Sequence, residues 1–277
     1  MKKILIATDF STNARPALEY AVFLSLKAGA VLHVLHTYMP VYPLTETVAG
    51  PPVTVEWEEA YRHSAQETLD NLTEELKARG LTVVSHLELG PLSTVATDIV
   101  KQEGIDLTVL GRSESGGWLF ELFGNVATQL LDNLTTPLLM VPAEVTHYKI
   151  DRMAYATQLE FDETEVLAQV YDWADEAGAD VHLVHVRAAH EPNIQNDEDF
   201  IEDIRKTFPD RNTTILERDA SSVVDGIEEL TKDVDADILV MSTHHRNLFT
   251  QIVNPSKTRK LLLHCSVPTL VFPLEAL

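Results

Sequence analysis

Cysteine, membrane-length apolar runs and basic charge are all scarce in this chain of 277 residues. Cys265 is the single cysteine, which rules out an intramolecular disulfide and fits a reducing compartment. No stretch approaches the ~18 uncharged apolar residues of a membrane span. The opening MKKILIATDF runs straight into a strand pattern with no leader-like cleavage region. A cytoplasmic protein with no membrane partner is therefore expected. Lys and Arg number 21 against 43 Asp and Glu, a formal net charge of −22. Such a surface repels phosphodiester backbones and anionic lipid, so nucleic acid is not an expected partner. Chemistry is thin as well. No Walker lysine is present. His33 and His36, like His182 and His185, are three apart on strand-like runs, and odd spacing sends the members of each pair to opposite faces. No metal ligands and no catalytic residues are expected.

What the chain does contain is a duplication. ILIATDF at 4–10 is answered by MAYATQL at 153–159, and VLHTY at 34–38 by VHV at 184–186, at an offset of 149. DLTVLG at 106–111 matches DILVMS at 237–242, and TPLLMVP at 136–142 matches VPTLVFP at 267–273, now at an offset of 131. The difference of 18 is a deletion inside the second copy. A repeat this long means two like domains rather than a solenoid, and each is long enough to bury its own core. Their expected extents are residues 1–146 and 147–277.

Each copy reads as strands alternating with helices. ILIAT is a short, almost wholly apolar run, as a central parallel strand covered on both faces requires. Residues 14–28 carry Ala14, Ala17, Leu18, Ala21, Val22, Leu24 and Ala28 at helical spacing, with Asn13 as the expected cap, Pro16 in the first turn and Gly29 as terminator. The first copy continues with VLHVLH, a charged helix over 56–79, TVVSHLEL, a helix STVATDIVKQEG, LTVLG, a glycine-bearing loop, a helix NVATQLLDN and PLLMV. Five strands alternating with four helices predict an α/β fold with an open, doubly wound, Rossmann-like parallel sheet, whose ligands lie beyond the carboxyl ends of the strands.

These residues resemble the universal stress protein family in its tandem form. The opening ILIATDFS, the strand ending in LHTY, and the glycine loop leading to a helix and a closing PLLMVP strand carry the resemblance over essentially the whole chain. It implies the five-stranded domain just derived, and it implies that closing strands pair edge to edge. In a tandem chain the runs 137–141 and 268–272 are then expected to pair with each other as an intramolecular pseudo-dimer, which removes two exposed edges. A further homodimer remains open.

The family divides into members that bind ATP or AMP and members that do not. The dividing motif is a glycine, two residues, a second glycine, nine residues, then glycine with serine or threonine. Gly111 and Gly124 stand at the motif's separation, but Glu114 takes the second glycine position and Asn125 the hydroxyl position. A carboxylate close to a phosphate costs ~1–4 kcal/mol at effective dielectrics between water and a protein surface. Carried over residue by residue, the resemblance maps an adenine pocket to Ala7, Thr8, Asp9 and Thr37. It maps ribose and phosphate contacts to Leu110, Gly111, Gly124, Asn125 and Val126. Asp9 has a rival role as the cap of the turn into the first helix. In the second copy the same positions hold Gln158, Ser242, His245, Pro255 and Ser256. Pro255 lacks an amide donor and fixes φ where the family has glycine, so no cofactor is expected there.

Residues 38–56, with four prolines and no periodicity, have no counterpart in the second copy. Their length and position suit a lid over the Asp9–Gly111 cleft. The run 116–123 holds Trp118, Phe120 and Phe123 and suits protein docking. The expected function is a non-catalytic stress-response protein with adenine nucleotide confined to the first copy. A ligand-free scaffold working through protein partners is the alternative, and slow nucleotide hydrolysis is the third reading.

Overall fold

The computed structural model describes residues 1–39, 55–112, 126–127, 129–159, 162–188, 197–244 and 265–274. The first copy contributes β1 (Lys3–Ala7), α1 (Arg15–Ala28), β2 (Val31–Tyr38), α2 (Val55–Ala78), β3 (Val83–Leu89), α3 (Leu92–Glu103), β4 (Leu107–Arg112) and β5 (Leu138–Pro142). Residues 129–133, just before β5, are helical. The second copy contributes β6 (Arg152–Ala156), α4 (Thr164–Ala177), β7 (Asp180–Ala188), α5 (Asp197–Thr207), β8 (Ile215–Ala220), α6 (Val223–Asp233), β9 (Ile238–His244) and β10 (Thr269–Leu274). The alternation read from sequence is thus present in both copies. One boundary differs: α1 is capped at Ala14 rather than Asn13, because the preceding turn is closed by Ser11, whose backbone O and Oγ both accept from the Ala14 N–H at 3.2 Å. Gly29 ends the helix in the left-handed region as expected, at φ 63°.

The ten strands among the described residues form one sheet in the order β3-β2-β1-β4-β5-β10-β9-β6-β7-β8. Pairing is parallel within each copy and antiparallel only where the copies meet. At that seam Met140 opposes Thr269, Leu139 opposes Leu270 and Leu138 opposes Val271. The repeat offset carries Leu139 onto Leu270, so a pseudo-twofold passes between these two residues. The closing strands therefore satisfy each other's edges within one chain. The outer edges, β3 and β8, carry Glu88 and the run Glu217–Arg218–Asp219, charge that discourages further strand addition.

Side chains alternate across the sheet into two layers. Ile4, Ile6, Val34, Val109 and Leu139 share one layer with α1, α2, α4 and their counterparts Met153, Tyr155 and Val240. Leu5, Ala7, Leu35, Leu110 and Met140 share the other with residues of α3 and α6. Contacts across the pseudo-twofold reinforce the seam. The Lys27 Nζ donates to the carbonyl of Ala177 at 2.6 Å, at the C-terminus of α4 where a cation is favoured. Buried Tyr20 donates its hydroxyl to the Lys149 carbonyl at 3.3 Å. Arg112 Nη1 donates to the Cys265 carbonyl at 2.6 Å, and its Nη2 lies 3.6 Å from Glu144.

On β2 and β3, His33 Nδ1 lies 3.0 Å from His86 Nε2, with ring planes 13° apart. One of the two nitrogens must carry a proton and the other must be bare. Glu103, Lys3 and Glu88 are the charged groups around the pair, and burial pushes both imidazoles below their ordinary value of 6.5. A depressed folded value means that stability is fully present above pH 6.5 and is lost as pH falls below it. Urea midpoints measured from about pH 7.5 to about 5.5 should fall more steeply for the parent than for His86→Gln; parallel slopes would show that this pair does not set the acid sensitivity.

The seam generates a second prediction. Thr108 N–H donates to the Pro137 carbonyl at 3.0 Å, so Pro137 bonds toward β4. By alternation Leu138 and Met140 turn their amides toward β10. Met140→Pro should therefore delete a seam hydrogen bond that Met140→Ala keeps, at equal or smaller loss of packing. Limited proteolysis between residues 143 and 150 is expected to be faster in the proline variant than in the alanine variant. Equal rates would mean the seam does not hold the copies together.

Candidate functional site

Each copy changes strand order at one place: between β1 and β4 in the first and between β6 and β9 in the second. Such switch points open crevices at the carboxyl ends of the strands. The turn leaving β1 is built by side chains. Phe10 N–H donates to Thr8 Oγ1 at 3.0 Å and Ser11 N–H to Asp9 Oδ1 at 2.9 Å. Phe10 adopts a positive φ of 61°, uncommon for a large residue and stable only where the surroundings hold it. His36 helps hold it, with Nδ1 2.8 Å from the Thr8 carbonyl and its ring 4.4 Å from the Phe10 ring. A carbonyl only accepts, so this nitrogen carries the proton.

The second copy repeats the hydroxyl and imidazole contacts of this turn. Leu159 has φ 56° and donates its N–H to Thr157 Oγ1 at 3.3 Å. His185 Nδ1 lies 3.0 Å from the Thr157 carbonyl. His36 and His185 are thus turn anchors.

Around the first crevice, Ala7 and Leu110 are buried in one layer, with Val126 packed against it. Ala7 pairs with Leu35, and half-buried Thr37 follows two residues on, so alternation puts it on that same face. Thr8 is buried and its N–H donates to the Leu35 carbonyl at 2.9 Å. Asp9 is exposed, with Oδ1 engaged by the turn, so its capping role is present. The structure therefore puts Ala7 and Leu110 in one apolar layer with Val126 packed against it, and Thr37 on the same face of the sheet, with Thr8 and Asp9 at the turn. Gly124 and Asn125, together with Glu114, the 40–54 part of the expected lid, and the docking run 116–123, lie outside the described residues.

Gly111 has a local partner of its own. A Cβ built there would lie 3.4 Å from the Ala14 Cα and 3.4 Å from the Ala17 Cβ. Its hydrogen therefore faces the start of α1, in the layer opposite Leu110.

The second crevice is filled. Glu163 stands where the first copy has Ala14 and is only 3% exposed. Its Oε1 accepts from Tyr155 Oη at 2.9 Å and from Ser242 Oγ at 2.8 Å. Its Oε2 accepts from Thr157 Oγ1 and, at 3.3 Å, from Gln158 N–H. Burial pushes the carboxyl above its ordinary value, against the pull of these four donors. Tyr155 is also raised well above its ordinary value, by burial first and then by the neighbouring Glu163. Sequence reading missed this cluster, although a signal exists. Aligning the copies puts Tyr155 on Ile6, Ser242 on Gly111 and Glu163 on Ala14, three polar gains at small or apolar positions.

The comparisons follow from this geometry. The family model described as the universal stress protein family matches residues 1–142 and again 150–273. The chain belongs to the universal stress protein family. A universal stress protein of Methanocaldococcus jannaschii is 29% identical over 152 residues, covering 50% of this chain and 94% of its own. One of Aquifex aeolicus is 32% identical over 113 residues, covering 39% and 82%. The crystal structure of a universal stress protein of Archaeoglobus fulgidus superposes with a TM-score of 0.73 at 15% identity, covering 98% of both chains, which extends the shared fold to the whole tandem arrangement. Among the described residues, no helix is long and apolar enough to cross a membrane, and no three His, Cys, Asp or Glu side chains are grouped to hold a metal.

Because a side chain at Gly111 would meet the start of α1 at ordinary contact distance, Gly111→Ala should lower stability by no more than about 1 kcal/mol. Thermal melting of the variant checks this; a much larger loss would show that α1 and β4 cannot accommodate the added methyl.

Proposed function

We propose that this universal stress protein takes an adenine nucleotide, ATP or AMP, in its first copy alone and works without catalysis as a cytoplasmic stress-response sensor. The copies are taken as residues 1–146 and 147–277. The observation that carries the reading is the contrast between the two switch-point crevices. The first has Ala7, Ala14, Leu110 and Gly111 around it, all small or apolar, with the exposed Asp9 at its border. The second is closed by Glu163 and its four donors. In this reading Ala7 and Thr37 floor the base, Thr8 and Asp9 border it, and Leu110, Gly111 and Val126 run along the ribose. Gly124 and Asn125 supply N–H groups to the phosphates at a helix start. The alternative, a ligand-free scaffold contacting protein partners, keeps its support from Glu114, whose charge opposes phosphate.

Mass spectrometry of gently purified protein is expected to find retained ATP or AMP, and calorimetry to find one site per chain. Glu114→Gly should tighten ATP by at least several-fold, since a nearby carboxylate costs ~1–4 kcal/mol, and Asp9→Ala should weaken it. No retained nucleotide and no binding heat in either the parent or Glu114→Gly would leave the scaffold reading.

A further inference from the structure

The second crevice contains four donors directed at one point. Two hydroxyls, from Tyr155 and Ser242, meet Oε1 of Glu163, while the Thr157 hydroxyl and the Gln158 N–H meet Oε2. The donors come from the end of β6, from the turn after it and from the end of β9, the two strands that flank the switch point. That is where a doubly wound sheet takes its ligands. Two donors on each oxygen make a complete carboxylate receptor, and the site is sealed from solvent. Its occupant is tethered through two methylenes to the residue before α4. The first copy keeps only the threonine, Thr8, among the side-chain donors: Ile6, Gly111 and Ala14 stand at the positions of Tyr155, Ser242 and Glu163, and there the place of the missing Gly111 side chain faces Ala14 and Ala17.

We infer that the second copy contains an anion-binding site for a small carboxylate, which the chain fills with its own Glu163, so that the second crevice is occupied from within. The inference holds whether or not the first copy takes nucleotide. It also differs from a merely degraded site. Loss alone would leave apolar or unpaired groups, whereas here three side-chain donors and one backbone donor converge on one carboxylate. Leaving these donors without an acceptor is costly, because each would then be buried and unpaired. An external anion of the right shape should therefore be able to replace the side chain. Glu163→Ala restores the residue of the first copy and removes one methylene-bearing carboxyl fragment, the size of acetate.

The test uses the full chain carrying Glu163→Ala, melted in sodium acetate, sodium formate and sodium chloride at matched ionic strength. The variant is expected to melt below the parent in chloride and to recover a few degrees in acetate or formate, saturating with concentration as single-site binding requires. The parent should show no difference between the salts. Adding Ser242→Gly removes one donor and should raise the half-saturating acetate concentration at least several-fold. Acetate and formate no better than chloride would overturn the inference, as would rescue indifferent to Ser242→Gly. Should Glu163→Ala not fold in chloride, refolding yield decides: recovery in acetate or formate supports the site, and failure in all three salts rejects it. Nucleotide binding by the first copy is read separately by ATP calorimetry on the parent, so failure of one reading leaves the other standing.

Discussion

Leu139 and Leu270 face each other as the central pair of a three-residue antiparallel seam, and the architecture follows from that contact. Each closing strand is a short apolar run between prolines that would otherwise end a domain in an open edge. Pairing them turns two five-stranded sheets into one of ten strands and leaves only the charged outer strands β3 and β8 exposed. The net contribution of each seam hydrogen bond is about 1 kcal/mol. The seam is therefore held mainly by what lies over it: Leu139 and Leu270 buried in one layer, Met140 and Val271 in the other, and the contacts of Lys27, Tyr20 and Arg112. Of these, the ties of Lys27 and Tyr20 have no like residue at the equivalent positions, which are Glu176 and Gln169, so the two copies are joined by an interface that is not fully reciprocal.

Much of this was legible in the sequence, for a physical reason. Central parallel strands are buried on both faces, so ILIAT and MAYAT must be apolar throughout, and repetition of such runs at fixed offsets announces two sheets. The pairing of the closing strands was an expectation from the family resemblance. What failed to show were features whose logic is long-range. Asn13 resembled a cap because asparagine often is one, yet Ser11 closes the turn and Ala14 takes the capping position. Glu163 carries no local signal of its role. Its meaning depends on Ser242, 79 residues away, and on Tyr155 beneath it in the sheet. Gly111 matched a ligand motif by spacing, and only coordinates show that the place of its missing side chain faces Ala14 and Ala17 at the start of α1.

The two copies have also diverged unevenly, and the pattern separates architecture from binding. Thr8 and Thr157, Phe10 and Leu159, and His36 and His185 build the same turn, with the same positive φ and the same hydroxyl and imidazole contacts. A residue held at positive φ without glycine is a cost that any copy would shed if the turn were dispensable. Its presence in the second copy, where Gln158 replaces Asp9 and Pro255 replaces the motif glycine, means the turn is required to lead the chain from the first strand into its helix. Ligand capacity must then reside in what differs. One such difference lies between the first and fourth strands of each copy, where one copy is small and apolar and the other is polar and sealed. Filling that crevice with a hydrogen-bonded carboxylate also answers a packing problem, since Ser242 and Tyr155 would otherwise bury hydroxyls without partners. Closing the second site and keeping the second domain stable are thus the work of the same four hydrogen bonds.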